Sequence, residues 1–170
     1  MIKAFKSLAD ENNNCRLIVL GSGMPLEYLS EANPHWSKII FTGNLSNKLV
    51  TEFYQLSDVG VIPSLHEQCS FTAIEMRLNR LPILTSAVDG LDEMFTHNYD
   101  CLKLDNFLDG SGIRTFDVKD FSDKLRLLLY EKTLAKKVMA NSYKVGVNKY
   151  TEDVMWKNYE NLFDKIFQSK

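Results

Sequence analysis

The sequence predicts an α/β chain: a Rossmann-like, doubly wound parallel sheet with helices on both faces, followed by C-terminal helices. Three observations predict it. Five short aliphatic, β-branched runs recur up to residue 104, and they are apolar on both faces, as buried parallel strands are. The segments between them carry apolar residues at three and four spacing, which calls for crossover helices packed on a parallel sheet. The last third has no such run and reads as amphipathic helices.

In chain order, "MIKAFKSLADENNN" reads as a helix and a loop, so the sheet is entered from a helix rather than a strand. "RLIVL" at 16 to 20 is the first strand and "MPLEYLSEAN" the helix after it. "KIIFTG" at 38 to 43 and "SNKLVTEFYQLS" form the next pair, then "DVGVIP" at 58 to 63 and "SFTAIEMRLNR". "LPILTS" at 81 to 86 leads into "LDEMFTHN", and "CLKL" at 101 to 104 closes the series. "LDNFLDGSGIRTFD", 104 to 117, is the most turn-rich interval and is expected to be a surface loop. Two or three helices follow, the final one with Thr151 as N-cap and Asp153 in an acidic first turn. The whole is expected to be one domain, 1–170.

A chain of 170 residues, 45% hydrophobic and 25% charged, has an adequate core for one domain. Its net charge of -2 and lack of a Lys/Arg stripe argue against nucleic acid as the main partner. Cys15, Cys69 and Cys101 form no C-x-x-C pair, so neither a disulfide framework nor a zinc site is indicated, and a reducing cytoplasm suits them. No signal-peptide pattern and no apolar run near the roughly 20 residues of a spanning helix occur.

The chemistry concentrates in "VIPSLHEQCSFTAIEMRLNRLPILTS", 61 to 86. In a doubly wound sheet, ligands bind beyond the carboxyl ends of the strands, and "VIP" delivers "SLHEQCS" to that edge. A helix opening near Ser70 offers free N–H groups at Ser70, Phe71 and Thr72 and the positive end of its dipole, a place for phosphate. Glu75, one to two turns in, can accept hydrogen bonds from the vicinal hydroxyls of a ribose. Glu67, before the helix, would lie across the phosphates, near a second polyol. Such a pair brackets a nucleoside diphosphate sugar. A structural reading also fits: Glu75 favouring the helix dipole by about 0.3 to 1 kcal/mol, and Glu67 a solvated loop charge.

"LIVLGSG", "FTGNLSNKLVTEFYQLSDVGVIPS", the two glutamates at 67 and 75, and "LPILTSAVDGLDEMF" resemble, in order and spacing, the family 4 or group 1 glycosyltransferases, over the C-terminal, donor-binding domain of their GT-B fold. The resemblance implies that Glu67 contacts the donor sugar near the reacting centre as the catalytic residue, and that Glu75 binds the ribose. It implies that the amides of Ser70 and Phe71 hold the diphosphate, with Thr72 beside them. His66, Gln68 and Cys69 would lie along the donor, and Gly21, Gly23, Gly43 and Asn44 near the base. It further implies sugar transfer with retention, in polysaccharide or glycoconjugate assembly. The donor would be UDP- or GDP-linked, with no separate cofactor and no metal.

The chain departs from the family's pattern in three places. Cys69 and Ser70 stand where the family has Phe-Gly, and "EMRLNRLP" stands where it has Ala-x-x-x-Gly before the Pro. The strand bearing the Gly-Arg and Lys-Gly motif, which supplies cations to the diphosphate, is expected to precede Met1. That leaves Arg77, Arg80 or Lys48 as compensating charges. The resemblance therefore implies a chain truncated at its N-terminus, without the acceptor domain, that binds donor weakly and is inactive alone. Its implied partners are the nucleotide sugar, its own N-terminal domain and a glycan or lipid-linked acceptor, with peripheral membrane association of the longer protein left open.

Three further features have competing readings. His66 and Cys69 have the spacing of a Cys-His nucleophilic pair, but with no orienting residue or oxyanion donor evident, a loop polar group and a small half-buried side chain explain them better. Asp89, Asp92 and Glu93 suit either a metal or an acidic helix start. Trp156, Tyr159, Phe163 and Phe167 recur at helical spacing, as core or interdomain packing. The alternatives to the transferase are another GT-B nucleotide-sugar enzyme such as an epimerase, or a non-catalytic α/β binding module.

Overall fold

The computed structural model describes residues 1–23 and 26–168. α1 (Ile2–Glu11) is followed by β1 (Leu17–Val19), α2 (Leu26–Ala32), β2 (Ile39–Phe41), α3 (Asn47–Leu56), β3 (Gly60–Ile62), α4 (Phe71–Leu78), β4 (Ile83–Ser86), α5 (Asp89–Met94) and β5 (Leu102–Leu104). Then come β6 (Asn106–Leu108), β7 (Arg114–Phe116), α6 (Val118–Tyr130), α7 (Lys132–Lys149) and α8 (Glu152–Gln168). All five expected parallel strands form. The turn-rich 104–117 interval is the exception, because it pairs as an antiparallel hairpin with Asn106 opposite Phe116. The Asp109 carboxylate closes the turn by accepting from the amides of Ser111 and Ile113, both at 2.9 Å. Asn106–Leu108 and Arg114–Phe116 are exposed or half-exposed and partly polar, so the sequence shows only the turn between them.

β3, β4 and β5 pair in parallel, and alternate residues enter different layers. Ile62 and Ile83 pack with Tyr54, Ala73, Met76 and Leu91, from α3, α4 and α5. Leu84, Leu102 and Leu104 pack on the other face with Leu8 of α1, Phe121 and Leu125 of α6 and Val138 of α7. This is the doubly wound arrangement. β1 and β2 form a separate parallel pair, with Leu17 opposite Ile39. Their core partners are Ile2, Phe5 and Ala9 of α1 and Ala32 of α2.

The sheet is thus interrupted between β1 and β3. A cavity of about 1040 Å³ lies there, lined by residues of both strands, by Phe5, Leu8 and Leu125 from one helical layer, and by Val50, Tyr54 and Met76 from the other. A continuous sheet would separate those layers; here they share one space.

Candidate functional site

The loop after β3 is built against the start of α5. Ser86 donates its hydroxyl to the Ser64 carbonyl at 2.6 Å, and Arg114 of the hairpin donates to the Leu65 carbonyl at 3.2 Å. The Gly90 amide donates to the Glu67 carbonyl at 2.9 Å. Glycine is required there, since a Cβ on Gly90 would stand 1.5 Å from the Gln68 carbonyl oxygen. His66 turns its Nδ1 to the Asp89 carboxylate at 2.5 Å. Among the described residues no hydrogen bond links His66 with Cys69, so the structure gives the nucleophilic pairing no support.

Ser70 is the N-cap of α4, and its hydroxyl accepts from the Ala73 amide at 3.3 Å. Ser70 is buried and its side chain is committed to the cap, which leaves the first-turn amides of Phe71 and Thr72 without helical acceptors. Those amides carry the positive end of the helix dipole, about half a charge. The exposed Phe71 ring lies away from the large cavity, in a smaller one of about 320 Å³ at the α7–α8 junction.

Glu75 and Thr72 line the large cavity, together with Gly21, Gly43 and Asn44 at the ends of β1 and β2. The Gly21 amide donates to the Gly43 carbonyl at 3.2 Å. Their φ values of 122° and 67° lie in the region that favours glycine, so these two strand ends close together with no side chain intruding. Gly23, His66, Glu67, Gln68, Cys69, Ser70 and Phe71 are not in that lining. The loop residues 66–70 lead into α4, whose Thr72 and Glu75 do line it. Tyr54, which sequence reasoning did not single out, donates its hydroxyl to Glu75 Oε2 at 3.0 Å. Burial, then the Glu75 carboxylate, push the phenol well above its ordinary range.

Two of the three cations considered for the phosphates are engaged elsewhere. Arg77, two residues beyond Glu75, falls on the opposite side of α4. It is wholly buried, donating to Asp100 at 3.0 Å. Arg80 stacks over Tyr143 at 4.0 Å. Lys48 is exposed in the first turn of α3. Asp89 and Asp92 lie in the first turn of α5, paired with His66 and Lys103. Among the described residues no group of three or more His, Cys, Asp or Glu could hold a metal ion, and no helix is long and apolar enough to cross a membrane.

Comparison with known folds places this architecture with the C-terminal halves of GT-B glycosyltransferases. The C-terminal domain of a glycosyl transferase group 1 protein (LpcC) from Francisella tularensis superposes with a TM-score of 0.74 at 18% identity, covering 89% of this chain and 77% of that one. HepE from Anabaena, in a complex with UDP, gives 0.78 at 12% identity over 95% of this chain and 44% of that one. The family model for glycosyl transferases group 1 matches residues 1–145, and the chain belongs to that family. A 2-deoxystreptamine N-acetyl-D-glucosaminyltransferase of Niallia circulans is 25% identical over 165 residues, 95% of this chain. This chain spans 40% of that relative's length.

Proposed function

We propose that the chain is the donor-binding half of a retaining nucleotide-sugar glycosyltransferase, of hexosyltransferase type, acting in polysaccharide or glycoconjugate assembly. One observation carries the reading. Glu75 lines the same cavity as the Gly21–Gly43 strand-end bridge, with the open amides of Phe71 and Thr72 at the head of the same helix. The base would lie toward Gly21, Gly43 and Asn44, the ribose diol on Glu75, and the diphosphate at the start of α4. Glu67, whose carbonyl is anchored by Gly90, would meet the transferred sugar. As the glycosidic bond breaks, charge accumulates on the leaving diphosphate, and amides already aimed at it lower the barrier without reorganising. That one structural neighbour was solved with UDP supports a UDP-linked donor, GDP being the other candidate.

The interrupted sheet belongs to the same proposal. The space between β1 and β3 has room for a further strand of about five residues alongside them, with the donor at the strand-end rim of Gly21, Gly43 and Asn44. Polypeptide outside this sequence would complete the sheet there, and a further domain would supply the acceptor site. On its own the chain is then a weak donor binder without turnover.

Calorimetric and thermal-shift titration with UDP, GDP, ADP and CDP, on the parent, Glu75→Ala and Glu67→Ala, tests this. Ligand at about 100 times Kd should stabilise by roughly 2.7 kcal/mol. A response to one nucleotide, lost in Glu75→Ala, is expected. Silence from all four, repeated in a longer chain whose added segment fills the sheet, would leave the binding-module alternative.

A further inference from the structure

Tyr54 sits in α3 with its ring in the core against α4, only 5% exposed. Its hydroxyl emerges at the cavity, where it donates to Glu75 Oε2 at 3.0 Å. A buried phenol needs a partner for its O–H. This one has taken a carboxylate on the exposed wall of the cavity.

The consequence falls on Glu75. A glutamate on a helix surface samples many rotamers, and a carboxylate offers about four acceptor positions. Here one oxygen is fixed by a donor that cannot move, because its ring is packed among Ile62, Ala73 and Met76. The other oxygen is left to a ligand in a set orientation. Ordering of the side chain is then complete before a diol arrives.

We propose that Tyr54 is a positioning residue for the polyol site at Glu75, and that it sets the preference of this site for ribo- over deoxyribonucleotides. The proposal rests on the reading of Glu75 as the ribose contact. The alternative role for Tyr54 is purely structural, with its hydroxyl satisfied by the nearest acceptor.

Tyr54→Phe keeps the ring and its packing and removes the donor. UDP, GDP, ADP and CDP are titrated by calorimetry in parallel with their 2′-deoxy and 3′-deoxy counterparts. The proteins are the parent, Tyr54→Phe, Glu75→Gln and the double variant. The parent should prefer the ribonucleotide. In Tyr54→Phe that preference should shrink about five-fold, with deoxynucleotide affinity unchanged, and in Glu75→Gln it should vanish with or without Tyr54. A structural role would lower the melting temperature of Tyr54→Phe and leave the preference intact. That outcome, with preference still lost in Glu75→Gln, overturns the proposal while the Glu75 reading stands. A parent that binds nucleotide without preference, or that binds none here and in a longer chain whose added segment fills the sheet, removes that reading and this proposal with it.

Discussion

Replacing Arg77 by Met should destabilise the fold by about 3 kcal/mol, although the side chain touches no part of the candidate site. Its guanidinium is fully buried and donates to the Met94 carbonyl at 2.6 Å and to Asp100 Oδ2 at 3.0 Å. Its face lies 3.9 Å from the Phe95 ring centre and 5.3 Å from that of Tyr150. Asp100 is equally buried, and its other oxygen accepts from the Thr96 amide at 2.7 Å. Deleting the cation strands that carboxylate, at a cost of about 3–5 kcal/mol, and removes a cation–π contact of about 1–2 kcal/mol. Two offsets act against this. Among the described residues Arg77 Nε and Nη1 have no hydrogen-bond partner, so their removal ends a penalty of about 1–3 kcal/mol, and a Met thioether still packs on the ring. For a chain of this size a net loss near 3 kcal/mol lowers Tm by about 6–12 °C. Urea unfolding should show a lower midpoint at unchanged slope. The double variant Arg77→Met with Asp100→Asn should cost less than the sum of the single changes. A single variant melting within about 2 °C of the parent would refute the account.

Four further outcomes are expected. Gly90→Ala must displace the loop, because its Cβ would sit 1.5 Å from the Gln68 carbonyl oxygen; nucleotide affinity should fall at least about tenfold while helical circular dichroism persists, and parent-like affinity would contradict it. Iodoacetamide should label exposed Cys69 first and Cys101 only on unfolding, since burial pushes the Cys101 thiol up to about 12. Above its ordinary value of 9.0 only the unfolded thiol ionises, so this group's contribution to stability is whole below pH 9 and declines by up to about 1.4 kcal/mol per pH unit toward 12, read from urea midpoints. UDP should bind no more than about tenfold tighter than UMP, because a helix N-terminus rewards an anion by only about 0.3–1 kcal/mol and the nearby arginines are engaged; a hundredfold gain would mean an unrecognised cation at the site.

What the sequence revealed was local. Ser70 as a cap and Glu75 a turn later lie on one helix, and the five strands were visible because each is a short run rich in aliphatic residues. The features it hid are contacts between distant residues. Tyr54 meets Glu75 across 21 positions, His66 meets Asp89 across 23, and Arg114 meets Leu65 across 49. The end of α4 was hidden for a different reason. Arg80, at φ 59°, occupies the left-handed position where a glycine would announce the stop. The paired bonds from Arg80 N to the Arg77 carbonyl and from Leu81 N to the Met76 carbonyl, at 3.0 and 3.1 Å, hold it there. Arg77 and Arg80 read as phosphate cations because sequence gives their charge without their direction. The aromatic stripe of α8 was legible as a stripe, but whether it faces a core depends on what packs against it, and in the structure its rings are exposed.

Because the candidate site spans the interruption in the sheet, its geometry depends on α1 more than on any residue in the site. The Gly21–Gly43 rim belongs to the β1–β2 pair, and Glu75 to the unit built on β3, β4 and β5. Among the described residues no strand pairing joins the two. α1 does, with Ala4 and Leu8 in the core of the larger unit and Ile2, Phe5 and Ala9 in the core of the smaller. Arg126 of α6 adds a clamp on Glu11 at 2.5 Å, exposed and so of small energetic weight. A ligand touching both rims would therefore favour one packing of α1 between the two cores. In the same way, any strand filling the interruption would fix the distance between the glycine rim and Glu75 before the ligand arrived, so sheet completion and donor affinity are one coupled equilibrium.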